Sequence, residues 1–125
     1  MAPAGAMPAS AGLPWTRRDG DGWRYAMLTG PEHANPQGAV HGGMLMTFVD
    51  HGLSMLAWEA ADRAACSTIQ LNGHFLAAVQ PGEFLELEGE ITRKTRSMVF
   101  VRGKLRVGER DVVAADGIWR ILRGR

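Results

Sequence analysis

The chain has 125 residues, 46% of them apolar and 22% charged, and a formal net charge of +1. That length allows one domain with a real core and is too short for two comfortable ones. The balanced charge excludes the basic face that nucleic-acid binding requires, and no apolar run reaches the ~18 residues of a membrane span, so neither nucleic acid nor membrane is an expected partner. Cys66 is the one cysteine, which leaves no intrachain disulfide and suits a reducing cytoplasm.

Residues 1–18 begin Ala-, Pro- and Gly-rich and lack a basic region ahead of an apolar one. They read as a mobile tail, not a secretory signal, with a single domain over 19–125. Asp19-Gly20-Asp21-Gly22 is turn chemistry, and Trp23 to Leu28 suits a short strand. Thr29 to Gly38 is loop, marked by Gly30-Pro31 and Asn35-Pro36. From Gly43 to about Ala61 the residues favour helix, with apolar groups such as Met44, Leu45, Met46, Phe48, Leu53, Met55, Leu56 and Trp58 on every side. A helix apolar all round is a buried helix. Thr47, Asp50 and Ser54 follow at three and four residues and share one narrow polar stripe.

After Asp62-Arg63 the pattern changes to period two. Cys66 to Leu76 suits a strand, and Phe84 to Ile91 alternates clearly, with Leu85, Leu87, Gly89 and Ile91 against Glu86, Glu88 and Glu90. Ser97 to Val107 repeats the alternation. A hairpin through Arg93-Lys94-Thr95-Arg96, with its register centred on Thr95, sets Glu88 opposite Arg102 and Glu86 opposite Lys104. Opposite charges across a strand pair contribute roughly 0.2–1 kcal/mol each. Gly108-Glu109 is the next turn and Asp111 to Leu122 the last strand. The order is α+β: one long apolar helix, then antiparallel strands whose apolar face the helix must cover. A sheet wrapped around one central helix is the hotdog architecture.

Asp50 is out of place in such a helix. A buried carboxylate without partners costs several kcal/mol even after relaxation. Two ordinary accounts are open: the side chain faces solvent along the polar stripe, or it pairs with an arginine. A functional account starts from Gly42 and Gly43, where the helix should begin. Glycine lets a backbone approach a ligand closely. First-turn N–H groups are unpaired and carry the positive end of the helix dipole, which suits an oxyanion. Asp50 lies seven residues past Gly43, about 10 Å along the axis, too far for acid and donors of one chain to share a substrate. Two chains packed antiparallel about a twofold would bring one subunit's Asp50 to the other's Gly42, giving two composite sites.

Asn35, Gly38, His41, Gly42, Gly43 and Asp50 form an Asn-x-x-Gly-x-x-His-Gly-Gly motif with Asp nine residues after His. The motif resembles the signature of the phenylacetyl-CoA-thioesterase-like branch of the hotdog acyl-CoA thioesterases, in the 4-hydroxybenzoyl-CoA thioesterase superfamily. The resemblance extends more loosely from about Trp23 to Leu122. It implies hydrolysis of an acyl- or aryl-CoA thioester, with Asp50 as general base or nucleophile. The Gly42 N–H would polarise the carbonyl beside Gly43, and Asn35 and His41 would position carbonyl and water. It also implies that a hydroxyl on the strand after the helix holds the water. Thr68 stands there, eighteen residues past Asp50, with Ser67 beside it. Arg93, Lys94, Thr95, Arg96 and Ser97 match a turn that in relatives contacts the coenzyme A nucleotide, and three cations with two hydroxyls suit phosphate. Thr95 stands where relatives often carry glycine.

Coenzyme A is then part of the substrate and no separate cofactor is implied. No metal is expected either, since His33, His41, Asp50 and His51 lack the His-x-x-x-His spacing of a helical zinc site. The implied enzyme is a cytoplasmic homodimer, with tetramers expected. Two other functions fit the same fold: an enoyl-CoA hydratase or dehydratase, and an acyl-CoA-binding module without turnover.

Overall fold

The computed structural model describes residues 2–3, 15–19 and 22–122, with side chains from residue 25 to residue 122. In chain order the elements are strands β1 (Ala2–Pro3), β2 (Trp15–Asp19) and β3 (Gly22–Leu28), a 3-10 turn (Pro31–His33) and helix α1 (Gly42–Ala60). Strands β4 (Cys66–Phe75), β5 (Phe84–Lys94), β6 (Met98–Val107) and β7 (Arg110–Ile121) follow. All seven strands form one antiparallel sheet in the order β1-β2-β3-β5-β6-β7-β4. The sheet carries α1, the single long helix among the described residues, on one face, which is the hotdog arrangement expected. No helix among the described residues is long and apolar enough to cross a membrane.

The helix buries a stripe, not its whole circumference. Leu45, Phe48, Val49, Gly52, Leu53, Leu56 and Ala57 are buried, at spacings of three and four. They pack with Tyr25, Leu85, Leu87, Val99, Val101, Leu105, Val113 and Trp119 from the strands. Met44, Met46, Met55 and Trp58 remain only half-buried. The expectation of a helix buried all round is corrected here: within one chain a single sheet can cover one side of a helix and no more.

Gly89 and Gly103 face each other across β5 and β6. A Cβ on either would come within 2.9 or 2.8 Å of Leu53 Cδ2, respectively. The missing side chains let the helix settle close to the sheet at this crossing, with Leu53 filling the space.

Two expectations shift. The β5–β6 register lies two residues along from the one centred on Thr95: Glu86 faces Arg106, Glu88 faces Lys104 and Glu90 faces Arg102. The chain reverses over Thr95–Met98, where the Thr95 N–H donates to the Met98 carbonyl at 2.8 Å. Thr95 Oγ1 accepts the Met98 N–H at 3.1 Å. An irregularity between Ile91 and Arg93 inserts an extra residue in β5. A slip of two keeps each side chain on its face, so acid still meets base: Glu90 with Arg102, and Glu88 with Arg106 at 2.7 Å.

The second shift concerns the tail. Two of its segments are strands: β2 pairs with β3 from Trp15↔Ala26 to Asp19↔Gly22, and β1 pairs with β2. β-forming Trp15 and Thr16 stand just ahead of the Asp-Gly turn signal, which favours a hairpin added to the sheet edge. The rest of the expected tail, residue 1 and residues 4–14, lies outside the described residues.

Candidate active site

Asp50 sits half-buried in the middle of α1, held by two hydroxyls. Ser54, one turn further on, donates to Asp50 Oδ1 at 3.3 Å. Thr68 donates to the same oxygen at 3.1 Å. Thr68 reaches it because β4 sets Thr68 beside Trp119 of β7, and Trp119 is on the buried face under the helix. The register breaks between Thr68 and Gln70, leaving Ile69 as an unpaired residue with 51% of its surface exposed. Behind these contacts the Trp119 indole N–H donates to Ser54 Oγ at 2.8 Å. Neither sequence account of Asp50 describes this: the carboxylate pairs with no arginine among the described residues, and it is fixed by hydroxyls. Ser54 is legible from the stripe spacing, whereas Trp119, sixty-five residues further on, carries no sequence signal for the contact.

The start of the helix is a separate cluster. His41 is the N-cap and makes no side-chain cap. Its N–H donates to the His33 carbonyl at 2.9 Å. The buried His33 ring accepts the Gly30 N–H on Nδ1 at 2.9 Å. Asn35 Oδ1 accepts the N–H groups of Gln37 and Ala39 at 3.0 and 3.1 Å. Its carbonyl group thus closes the loop that leads into the helix. The Leu45 N–H is bonded to the His41 carbonyl, so the N–H groups of Gly42, Gly43 and Met44 have no acceptor within the helix. The Phe75 ring lies over Gly42, 3.3 Å from where a Cβ would stand. Asp50 lies eight positions past Gly42, about 12 Å of helix. One chain therefore places Asn35, His41 and Gly42 apart from Asp50 and Thr68, as their spacing requires.

A third group forms a groove of about 620 Å³, lined by Ser67, Ile69, Arg96, Ser97, Arg120 and Leu122, with Ile121 at its floor. Strand order builds it. Arg120 is register neighbour to Ser67 on one side and Met98 on the other, and the Ile121 N–H donates to the Ser97 carbonyl at 2.8 Å. Ser67, Arg96 and Ser97 thus converge, while Arg93 and Thr95 do not line the groove. Thr95 spends its hydroxyl on the turn. Arg120 is the residue sequence reasoning missed: alternation along β7 exposes it, but only the β6-β7-β4 order sets it between the other groups.

Charge separates in the same way. Arg63, Arg102, Lys104, Arg106 and Arg110 each face a carboxylate. Arg93, Lys94, Arg96 and Arg120 face none among the described residues, and all four lie at one end of the sheet. His51, next to Asp50, has its pKa held below the usual histidine range by burial, against the opposing pull of the Asp50 charge.

The chain belongs to the thioesterase superfamily, whose family model matches residues 37–114. A phenylacetic acid degradation-related protein of thioesterase type from Ralstonia eutropha JMP134 is 29% identical. Its structure overlays with a TM-score of 0.82, covering 94% of this chain and 92% of that one. A Pseudomonas aeruginosa protein, PA0474, described as a candidate esterase, is 29% identical over 97 residues, 77% of this chain and 72% of that protein. A Bacillus halodurans protein, BH2602, solved with coenzyme A, shares the fold at 23% identity and a TM-score of 0.80, over 89% of this chain and 75% of that one. The protein is thus a thioester hydrolase of the hotdog fold.

Proposed function

We propose that the protein hydrolyses an acyl- or aryl-coenzyme A thioester to the free acid and coenzyme A. The observation that carries this reading is the contact between Asp50 and Thr68. It fixes a carboxylate and a hydroxyl together at the open edge of the sheet, where a water and a thioester carbonyl can reach them. Asp50 either draws a proton from water as the water oxygen attacks the carbonyl carbon, or attacks that carbon itself to form a mixed anhydride that water then hydrolyses to the free acid and the restored carboxylate. In both routes the carbon–sulfur bond breaks and the thiolate leaves with a proton. A thioester suits this modest equipment, because its carbonyl is electrophilic and thiolate is a good leaving group.

The carbonyl oxygen would lie on the Gly42 N–H, helped by the helix dipole, with Gly43, Asn35 and His41 around it. Since one chain holds these groups apart from Asp50, the reading includes a homodimer, with dimers pairing into tetramers. β4 is the end strand of the sheet among the described residues. A second copy joined there about a twofold would continue the sheet and bring the two helices antiparallel. The groove of Ser67, Arg96, Ser97 and Arg120 would take nucleotide phosphate, for which guanidinium forks and hydroxyls are matched donors. The relative solved with coenzyme A supports this substrate class, and a chain whose one cysteine is Cys66 is in keeping with a cytoplasmic setting.

The test is free-thiol release from short aliphatic, long aliphatic, phenylacetyl, benzoyl and hydroxybenzoyl thioesters of coenzyme A. Wild type and Asp50→Asn run side by side. Hydrolysis that disappears in the variant, with fold and dimer intact, is the expected result. Full activity in Asp50→Asn would sink the mechanism. Silence of the wild type across the panel, with tight binding of the thioesters, would turn the reading to a binding module.

A further inference from the structure

We propose that Ser54 and Trp119 are positioning residues that decide which oxygen of Asp50 reacts. The inference rests on the thioesterase reading above and deepens it. Both hydroxyls that touch Asp50 donate to Oδ1, from Ser54 at 3.3 Å and Thr68 at 3.1 Å. Among the described residues nothing donates to Oδ2. A hydroxyl has one proton and can turn it several ways. Here the Trp119 indole N–H, a donor that never accepts, occupies the Ser54 oxygen at 2.8 Å. With an N–H already aimed at its lone pairs, Ser54 has its own proton directed to Asp50.

Trp119 can act as a fixed stop because it is fully buried under the helix and held by β4 and β6 on either side. The line Trp119–Ser54–Asp50 therefore converts the rigidity of the core into the orientation of a carboxylate. It saturates Oδ1 and leaves Oδ2, with its lone pairs uncommitted, for the water or the thioester carbonyl. Preorganisation of this kind lowers the reorganisation needed at the moment of reaction.

Three variants read the line directly. Trp119→Phe removes the N–H and keeps an aromatic core residue; Ser54→Ala removes the hydroxyl; Ser54→Thr keeps it. In Trp119→Phe and Ser54→Ala, kcat should fall about five- to tenfold with KM unchanged, as expected for loss of one buried hydrogen bond felt in the transition state. Ser54→Thr should turn over like wild type. The double variant should lose no more than Ser54→Ala alone, because Trp119 acts only through Ser54. Losses that multiply, or Ser54→Ala at wild-type turnover, would overturn the proposal. If Trp119→Phe does not fold, the Ser54 pair decides alone. A readout free of turnover separates this inference from the thioesterase reading: the Trp119 indole N–H resonance should move in both Ser54→Ala and Asp50→Asn. A resonance unmoved by Asp50→Asn would break the line even in an active enzyme. A resonance that moves in a protein that cleaves no thioester would keep the line and discard the reaction.

Discussion

Thr68 and Asp50 meet across the space between β4 and α1, the threonine hydroxyl donating to Oδ1 over 3.1 Å although the two stand eighteen positions apart. The strand is pinned to β7 at that residue and irregular at the next, so the hydroxyl is placed by backbone pairing, not by its own packing. Thr68→Val keeps the shape and removes the donor. Turnover should fall about tenfold. Because the side chain is exposed in the single chain, the melting temperature should change little. Steady-state kinetics beside a thermal melt checks both, and unchanged turnover would detach Thr68 from the reaction.

Among the described residues Arg96 and Arg120 face no carboxylate, and they share a groove with two serines. Replacing both with Ala should raise KM for coenzyme A thioesters at least tenfold while changing kcat little, since phosphate contacts contribute equally to ground and transition states. A pantetheine thioester, which lacks the nucleotide, should show no difference between variant and wild type. Arg93→Ala is the comparison: outside the groove, it should cost less. An unchanged KM in the Arg96/Arg120 variant would leave the groove without a nucleotide.

His51 gives a pH dependence whose sign is fixed. Its folded-state pKa is lowered, with burial as the main cause, so the unfolded chain binds the proton more readily. The stability it contributes is present above the ordinary histidine pKa and is lost as pH falls below it toward the lowered folded value. Melting temperature should therefore drop between pH 7 and pH 5, and His51→Gln should flatten part of that slope. Identical slopes in the two proteins would remove His51 from the account.

Gly103 tests the close helix crossing. A Cβ there would stand 2.8 Å from the Glu88 carbonyl oxygen and 2.8 Å from Leu53 Cδ2. The carbonyl belongs to the neighbouring strand and cannot rotate away. Gly103→Val should destabilise by about 1–3 kcal/mol despite the higher strand propensity of valine. A denaturant midpoint at or above wild type would show that the helix can ride higher without cost.

Much of this molecule is written in local patterns. Alternation in Phe84–Ile91 and Ser97–Val107, the apolar run after Gly43 and the turn signals between them give the element order, since each depends on residues a few positions apart. The motif from Asn35 to Asp50 lies on one continuous segment, so it too is readable. The β5–β6 register is less so. Charge pairing is satisfied equally well at a shift of two residues, and the choice fell to the Thr95–Met98 turn and the extra residue before Arg93. The helix misleads in the other direction: its composition speaks of burial on all sides, but a lone chain has one sheet to offer it.

By itself the sequence determined the α+β order, the long helix and the identity of the carboxylate within it, because those follow from short-range periodicity and spacing. Only the tertiary structure decided what holds that carboxylate. Thr68 is brought by β4 and Trp119 by β7, and their meeting at Asp50 and Ser54 depends on β7 pairing with β4 at the sheet's edge. Arg120 joins Arg96 and Ser67 for the same reason. Contacts between residues far apart in the chain are set by strand order and register, which loop closure and the packing of the whole core select together. No single segment carries that information.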